Sequence, residues 1–303
     1  MKIVIFGAGA LGAYFGSRWE QLGQDVTFLV RPKRAKQLRE KGIIIRSEEG
    51  DYAIKAPQVA EDAGQIENPD LVLLAVKGQH LENTIDQLRI LTSNGAKVLP
   101  ILNGVEHITT LQKQLGVEAV LGGLSFIIST LDDQGDVIHS SNFHDIRFGS
   151  LHPSQNKLCE KIQFISRNAN MNAVLSKDIL FDMWNKYMFI TAFSGITTAT
   201  NLPIGEVRKH PSTFEITVKM LQEMRKLANA YDIPLADSHV EKAIKNLKML
   251  GDEATSSMHQ DRRKGLQLEV EHLHGGALRL ADHAGIELPT IESIYGIIKP
   301  FEK

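Results

Sequence analysis

Three glycines near the start of the chain have the spacing of a phosphate-binding loop. Gly7, Gly9 and Gly12 form the pattern G-x-G-x-x-G directly after a short apolar run and at the start of a helical pattern. In such loops the first glycine permits a tight turn, the second lets the backbone approach a pyrophosphate, and the third allows close packing of helix on strand. The helix N-terminus also attracts the anion. The residues expected to bind a dinucleotide are Gly7, Ala8, Gly9, Ala10, Leu11 and Gly12.

A basic residue follows the second predicted strand, where dinucleotide-binding folds select between the two nicotinamide cofactors. Arg31 comes directly after Val26–Val30, and Lys33 and Arg34 follow it. An acidic residue there would bind the ribose hydroxyl of NADH, whereas a guanidinium pairs with the 2′-phosphate of NADPH. The alternative is a solvated helix start, which is unfavourable because cations there oppose the helix dipole. The sequence therefore favours NADPH.

Two further polar elements follow predicted strands. Lys77 comes after Leu71–Val76, and Asn103 with Gly104 comes after the run that ends at Leu102. Ligands of doubly wound sheets gather at the carboxyl ends of the strands, the edge that also carries the glycine loop. A solvated lysine and an ordinary Asn-Gly turn are the alternatives. Lys77 and Asn103 are therefore candidates for contacts to cofactor or substrate.

Lys186 lies in a strongly apolar helical pattern, with Ile179, Met183 and Ile190 on its own face. Burial lowers the pKa of a lysine toward neutrality and makes its ammonium group a usable general acid. The alternative is a lysine at the edge of a core helix that extends its charge into water. The residues alone leave both interpretations open.

Carboxylate, hydroxyl and imidazole groups occur further along the chain. Glu269 borders an apolar stripe that begins at Leu266, and Ser257 lies twelve residues earlier in a short polar stretch. His272 and His274 are two residues apart, so on a helix they point to different faces, and the chain contains no H-E-x-x-H pattern. We therefore expect no metal site.

Charge and composition argue against several other classes of protein. The 34 basic and 36 acidic residues give a net charge of −2, which argues against a broad nucleic-acid-binding face. Cys159 is the only cysteine, so an internal disulfide is impossible and a reducing cytoplasm is the expected location. The chain has no apolar run of about 18 residues, and its glycine-rich start makes a poor signal sequence. We expect no association with a membrane.

The order of predicted elements indicates an α/β fold. Apolar runs of strand length alternate with amphipathic helices, which implies a Rossmann-like doubly wound domain. An all-α helical domain follows it. The expected domains are residues 1–175 for cofactor and 176–303 for substrate. Residues 42–54 predict an inserted hairpin, and residues 125–149 predict several short strands. The helices predicted in the second half are Asn156–Asn168, Ile179–Ala192, Pro211–Tyr231, Ser238–Leu250, Leu266–Ala284 and Thr290–Ile298.

Taken together, these motifs resemble the ketopantoate reductase (2-dehydropantoate 2-reductase) family over nearly the whole chain. The joint order and spacing of the motifs carry the resemblance. The matching residues are the glycine loop, Arg31, Ala75-Val76-Lys77, Asn103-Gly104, Trp184-x-Lys186, Gly205-Glu206, Ser256-Ser257-Met258-x-Gln260-Asp261 and Glu269. The resemblance implies an NADPH-dependent enzyme that reduces a small 2-oxo acid, ketopantoate, to pantoate for pantothenate and coenzyme A synthesis.

The resemblance also implies roles for individual residues. Lys186 would be the general acid that protonates the alkoxide formed when hydride reaches C2 of the substrate. Glu269 would bind the substrate hydroxyl or hold Lys186. Ser257 would bind the carboxylate side, and Asn103 and Lys77 would contact substrate or nicotinamide.

The chain departs from the family pattern beside the lysine. The family usually has asparagines four and eight residues after it, at the positions occupied here by Ile190 and Ser194, and Leu102 replaces the usual glutamine before Asn103. Loss of buried polar partners would weaken ketopantoate binding or mark a different oxo acid. Two alternatives stay open, a reductase of another 2-oxo acid and a non-catalytic NADPH-binding sensor. A homodimer also stays open.

We expect Arg31→Ala to raise the Michaelis constant for NADPH about 10-fold or more, because a charge-assisted hydrogen bond contributes about 1.5–3 kcal/mol. The constant for NADH should change little. Steady-state kinetics with both cofactors measures the ratio of the two Michaelis constants, with Lys36→Ala, five residues further along the chain, as the control. A ratio unchanged by Arg31→Ala would contradict the assignment.

Overall fold

The computed structural model describes residues 1–302, which divide into two compact units. The first unit comprises Met1–Leu102 and His107–Ile179, and the second comprises Asn103–Glu106 together with the chain from Leu180 onward. The short segment Asn103–Glu106 thus leaves the first unit directly after a strand and becomes part of the second. Within residues 1–302, no helix is both long and apolar enough to cross a bilayer.

The chain up to residue 179 alternates strands and helices before the long helix of the second unit begins. These elements are β1 (Lys2–Phe6), α1 (Ala10–Gln21), β2 (Asp25–Leu29), α2 (Pro32–Lys41), β3 (Ile43–Ser47), β4 (Tyr52–Ile54), β5 (Gln58–Ala60), β6 (Leu71–Leu74), α3 (Ile85–Ser93), β7 (Lys97–Pro100), α4 (Glu106–Leu115), β8 (Gly122–Leu131), β9 (Val137–Gly149), α5 (Asn156–Ser166) and β10 (Asn172–Leu175).

The first sheet is wholly parallel, with the strand order β5-β2-β1-β6-β7. All four residues of β6, Leu71–Leu74, are buried, as expected for a continuous apolar strand covered on both faces. The strand order reverses at β1, which lies between β2 and β6, and such folds bind ligands at the carboxyl end of that switch point. The predicted α/β class with a doubly wound first half is confirmed.

Helix α1 packs against both sheets of the first unit. It contacts β1 and β2 of the first sheet and β8 and β9 of the second, whose order is β10-β9-β3-β4 with β8 antiparallel to β9. Every residue from Gly12 to Trp19 is consequently buried. Most residues of this segment are apolar or small, as a helix without a solvent-facing side requires. The exception is Arg18, which is buried and donates to Gly50 O at 2.8 Å.

The inserted hairpin is confirmed by the antiparallel pairing of β3 with β4, in which Ile43 lies opposite Ile54. The prediction of several short strands in residues 125–149 was wrong, because β8 and β9 are 10 and 13 residues long. Buried and exposed positions are mixed along β9, so its apolar residues do not form the continuous run by which the other strands were recognised.

The second unit is built from helices. The elements are α6 (Ile179–Thr200), α7 (Ile204–Lys209), α8 (Pro211–Ala230), α9 (Asp237–Met249), α10 (Ser257–Arg263), a π-helical turn (Glu271–Gly275), α11 (Gly276–His283) and α12 (Pro289–Ile298). Helix α8 packs against α7, α9, α11 and α12. The burial of Met183, Trp184, Tyr187 and Met188 shows that α6 is enclosed on several faces. The predicted helical second half is confirmed.

The helix predicted over Leu266–Ala284 was wrong at its start. Gly265 adopts a φ of +65° and ends α10 in a Schellman arrangement, with its own N–H bonded to Arg262 O and the N–H of Leu266 bonded to Asp261 O. The chain then runs without helix as far as Glu269 and enters the π-turn two residues later. Glu269 therefore precedes the helix instead of lying on its side.

We expect Gly16→Ala in α1 to destabilise the protein by about 1–3 kcal/mol, because it overpacks the core. A Cβ atom there would lie 2.6 Å from Ile5 Cγ1 and 2.8 Å from Phe28 Cε1. The matched control is Gly296→Ala in α12, where a Cβ meets nothing within 4 Å. It should stabilise by up to about 1 kcal/mol through helix propensity. The free energy of unfolding of both variants is measured by urea denaturation, monitored by circular dichroism. Equal changes in the two variants would contradict the packing argument.

Candidate active site

The glycine loop has the backbone geometry that a pyrophosphate needs. Gly7 has a φ of +97°, and a Cβ on it would lie 2.9 Å from Ala75 O. A Cβ on Gly12 would collide with the carbonyl oxygen of Gly7, whereas around Gly9 nothing lies within 4 Å. Gly9 is the N-cap of α1 and provides no side-chain cap for the first turn. The loop therefore offers open backbone N–H groups at a helix N-terminus, which fits a bound phosphate.

The basic candidates of the first unit follow neighbouring strands of the same parallel sheet. Arg31 is exposed at the N-cap of α2, directly after β2, and Lys77 is exposed after β6. Both strands flank β1, which carries the glycine loop at its carboxyl end. Arg31, Lys77 and the loop thus share one edge of the sheet.

Arg34 holds the glycine loop in place, a role that its position close to Arg31 in the sequence did not reveal. Its Nε donates to Ala8 O at 3.0 Å, and its two terminal nitrogens donate to Gly135 O at 3.3 Å. Arg34 therefore ties the glycine loop to the turn between β8 and β9. The only sequence signal was its position in a basic run, which does not distinguish a loop brace from a cofactor ligand.

In the second unit the structure brings Lys186 and Asn103 together. Lys186 lies in the middle of α6 and its Nζ donates to Asn103 Oδ1 at 3.0 Å. Asn103 reaches this position because the segment that follows β7 joins the helical unit. Gly104 next to it has a φ of +80°, a conformation that glycine adopts without strain. The chain turn at Asn103-Gly104 therefore presents an amide oxygen to the lysine.

Burial lowers the pKa of Lys186 to about 8, against the opposing influence of the Glu269 charge. The neighbouring residues Trp184 and Tyr187 on α6 are also buried. An ammonium group with a pKa near 8 is still largely protonated at neutral pH and gives up its proton readily. The group has the properties of a general acid.

The other predicted substrate-binding residues, Ile190, Ser194 and Ser257, differ in how far they are exposed to solvent. Ile190 is half-buried and Ser194 is buried, one and two turns after Lys186 on α6. Ser257 is exposed at the first position of α10, whereas its neighbour Ser256 is buried and caps that helix by accepting the N–H of His259 at 3.1 Å. The structure therefore gives Ser256 the structural role and leaves the Ser257 hydroxyl available.

His272 and His274 each form a hydrogen bond to a backbone carbonyl. The Nε2 of His272 lies 2.7 Å from Asn103 O, and the Nε2 of His274 lies 3.0 Å from Thr191 O. Residues 1–302 contain no group of three or more His, Cys, Asp or Glu side chains arranged to hold a metal ion.

The parallel sheet with its glycine loop is typical of a dinucleotide-binding protein, and comparison with known proteins identifies its family. The model of the family described as Ketopantoate reductase PanE/ApbA matches residues 3–153, and that of its C-terminal domain matches residues 178–302. The chain belongs to the ketopantoate reductase family. Its members are enzymes that use a nicotinamide cofactor.

Individual relatives share the whole length of the chain. The Bacillus subtilis (strain 168) protein named "Uncharacterized oxidoreductase YkpB" is 30% identical, covering 100% of this chain and 99% of its own. The crystal structure of 2-dehydropantoate 2-reductase from Geobacter metallireducens GS-15 is 25% identical, with a TM-score of 0.91 and 99% of each chain covered. D-mandelate dehydrogenase, solved with NADH and anilino(oxo)acetate, has the same fold at 22% identity and a TM-score of 0.89, covering 99% of this chain and 98% of that one.

We expect Lys186 to titrate near pH 8, and Glu269→Gln to lower that value because a nearby negative charge favours the ammonium form. Nuclear magnetic resonance of protein labelled with 13C at lysine Cε measures it, with Lys186→Arg assigning the signal. Glu241→Gln, on the exposed face of α9, is the matched control and should leave the signal in place. A Lys186 signal unaffected by Glu269→Gln would disprove the coupling.

Proposed function

We propose that the protein reduces a 2-oxo acid with NADPH, and that ketopantoate is the substrate and pantoate the product. The observation that carries the proposal is the Lys186 ammonium group, buried enough to bring its pKa to about 8 and hydrogen-bonded to Asn103 Oδ1 at 3.0 Å. Such a group stabilises negative charge on oxygen and then supplies a proton to it, which is what carbonyl reduction requires.

Lys186 acts on the carbonyl oxygen of the substrate. Its ammonium group donates a hydrogen bond to that oxygen and transfers a proton as the alkoxide forms at C2. Asn103 keeps the ammonium in one orientation through its amide oxygen. Glu269 favours the charged form of the lysine and accepts a hydrogen bond from a substrate hydroxyl. The residues thereby align one proton donor with the one oxygen that gains charge.

The first unit binds the cofactor, which supplies the hydride when bound. The Gly7 N–H bonds to Leu29 O, and the N–H groups of the glycine loop that follow it hold the pyrophosphate. Arg31 pairs with the 2′-phosphate that distinguishes NADPH from NADH. Lys77 contributes a positive charge at the same edge of the sheet. Asn103 contacts the nicotinamide or the substrate.

The substrate is held by Ser257 at its carboxylate side and by the α6 face that carries Ile190 and Ser194. A half-buried hydrocarbon at Ile190 gives no hydrogen bond to a hydroxylated substrate. This supports a second candidate function, the reduction of a 2-oxo acid with an apolar side chain. The reaction and the lysine acid are the same for both candidates.

A spectrophotometric assay of NADPH oxidation tests the proposal. We expect turnover with ketopantoate that requires NADPH in preference to NADH. Lys186→Ala should lower kcat by about 10²–10⁴-fold because the proton donor is lost. Its NADPH dissociation constant, measured by fluorescence, should not change. For the wild type, kcat/KM should fall as pH rises through about 8, because the lysine then loses the proton it must donate.

The controls separate the candidate functions. Lys219→Ala, at an exposed position of α8, should leave turnover intact. A panel that includes 2-oxoisovalerate and benzoylformate identifies an apolar substrate if ketopantoate is poor. NADPH binding without turnover on any 2-oxo acid would contradict the proposal and leave a cofactor-binding sensor. Unchanged kcat in Lys186→Ala would remove the lysine from the chemistry.

A further inference from the structure

We propose that the π-turn Glu271–Gly275 is a positioning element that sets the geometry of Lys186 relative to Asn103, with His272 as its principal residue. The inference rests on the proposed function, because it assigns a role in that same site. It is carried by hydrogen bonds that three consecutive residues of the turn form with the two segments that present the lysine and the asparagine.

The first bond holds the asparagine segment. The Nε2 of His272 lies 2.7 Å from the carbonyl oxygen of Asn103, and because a carbonyl only accepts, the imidazole donates. This bond fixes the backbone of the residue whose side-chain oxygen accepts from Lys186 Nζ. A shift of the Asn103 backbone would therefore move the acceptor of the lysine directly.

The next two bonds hold the lysine helix. The hydroxyl of Tyr187, adjacent to Lys186, donates to Leu273 O at 2.5 Å. The Nε2 of His274 donates to Thr191 O of α6 at 3.0 Å, and burial lowers the pKa of His274 to about 4, so the imidazole is neutral at physiological pH. The close approach of His274 also depends on Gly195, where a Cβ would lie 2.7 Å from its Nε2.

The π-turn itself is braced by a chain of ion pairs that includes the asparagine segment. Arg279 on α11 donates to both carboxylate oxygens of Glu106, at 2.9 and 2.8 Å, and also pairs with Glu271. Glu271 in turn accepts from Tyr295 and Lys299 at 2.6 Å each. Although burial opposes it, these hydrogen bonds lower the pKa of Glu271 to about 2, so the carboxylate remains charged.

The arrangement explains why a π-turn occurs here. A π-turn widens the helix by one residue, and such turns occur frequently at functional sites. The turn places successive residues against two different segments, the one that begins at Asn103 and helix α6. The segments that carry the lysine and its acceptor are thus both hydrogen-bonded to one short stretch of the chain, which restricts the distance between Lys186 Nζ and Asn103 Oδ1.

His272→Phe tests this role because it keeps a ring but removes the donor. We expect kcat on the 2-oxo acid to fall about 10-fold, with the KM for NADPH unchanged because the glycine loop belongs to the other unit. The alkaline limb of the kcat/KM profile should move to lower pH, because Asn103 Oδ1 no longer stabilises the ammonium form. His272→Gln retains an N–H donor and should recover most of the loss.

His283→Phe is the matched control, since His283 is exposed near the end of α11, and it should behave as the wild type. If His272→Phe lowers only the thermal midpoint, with kcat and the pH profile unchanged, the role is purely structural and the proposal fails. If His272→Gln is as impaired as His272→Phe, the donated hydrogen bond is not responsible, and the proposal also fails.

A second readout keeps the test independent of the proposed function. The 13C signal of Lys186 in the full-length protein without substrate gives its pKa directly. We expect a lower value in His272→Phe than in the wild type, and recovery in His272→Gln. If the wild type reduces no 2-oxo acid but the pKa of Lys186 falls in His272→Phe and recovers in His272→Gln, the proposed function is wrong and the positioning role stands. If the pKa of Lys186 is the same in His272→Phe as in the wild type, the positioning role is wrong whatever the activity.

Discussion

The ammonium group of Lys186 has to be withdrawn from water in the middle of a core helix, and much of the second unit serves to make this possible. A buried charge is costly unless polar partners replace its hydration. The ammonium donates to Asn103 Oδ1 and the charge of Glu269 favours its charged form, yet burial still lowers the pKa to about 8. The incomplete compensation leaves an ammonium group that can give up its proton near neutral pH, which is the property that the proposed function uses.

The partial compensation depends on groups that hold the acceptor in place. Asn103 belongs to a segment of four residues that leaves the first unit after β7, and without further contacts such a segment would be free to move. The bonds from His272 and Arg279 to this segment, and from Tyr187 to the π-turn, remove that freedom. Of these bonds the one from Tyr187 is buried and the one from His272 is partly buried, and breaking a buried hydrogen bond is costly because it leaves an unsatisfied polar group.

The two units solve different physical problems. The first presents backbone N–H groups to an anion, so it needs glycines where the chain turns sharply or packs closely, as at Gly7 and Gly12. The second must combine a charged group with an apolar surrounding, so it depends on side chains from distant parts of the chain. Under the proposed function, substrate preference would rest on a few side chains of α6, Ile190 and Ser194, while the reduction itself would stay the same.

The sequence by itself determined the features that depend on local spacing. The glycine loop, the parallel strands and the apolar helix around Lys186 are recognisable because their residues are neighbours in the chain. Only the tertiary structure decided that Asn103 bonds to Lys186, that Glu269 precedes a π-turn, and that His272 and His274 each bind a backbone carbonyl. The three hydrogen bonds join residues 83 to 169 positions apart, and periodicity carries no information about such contacts.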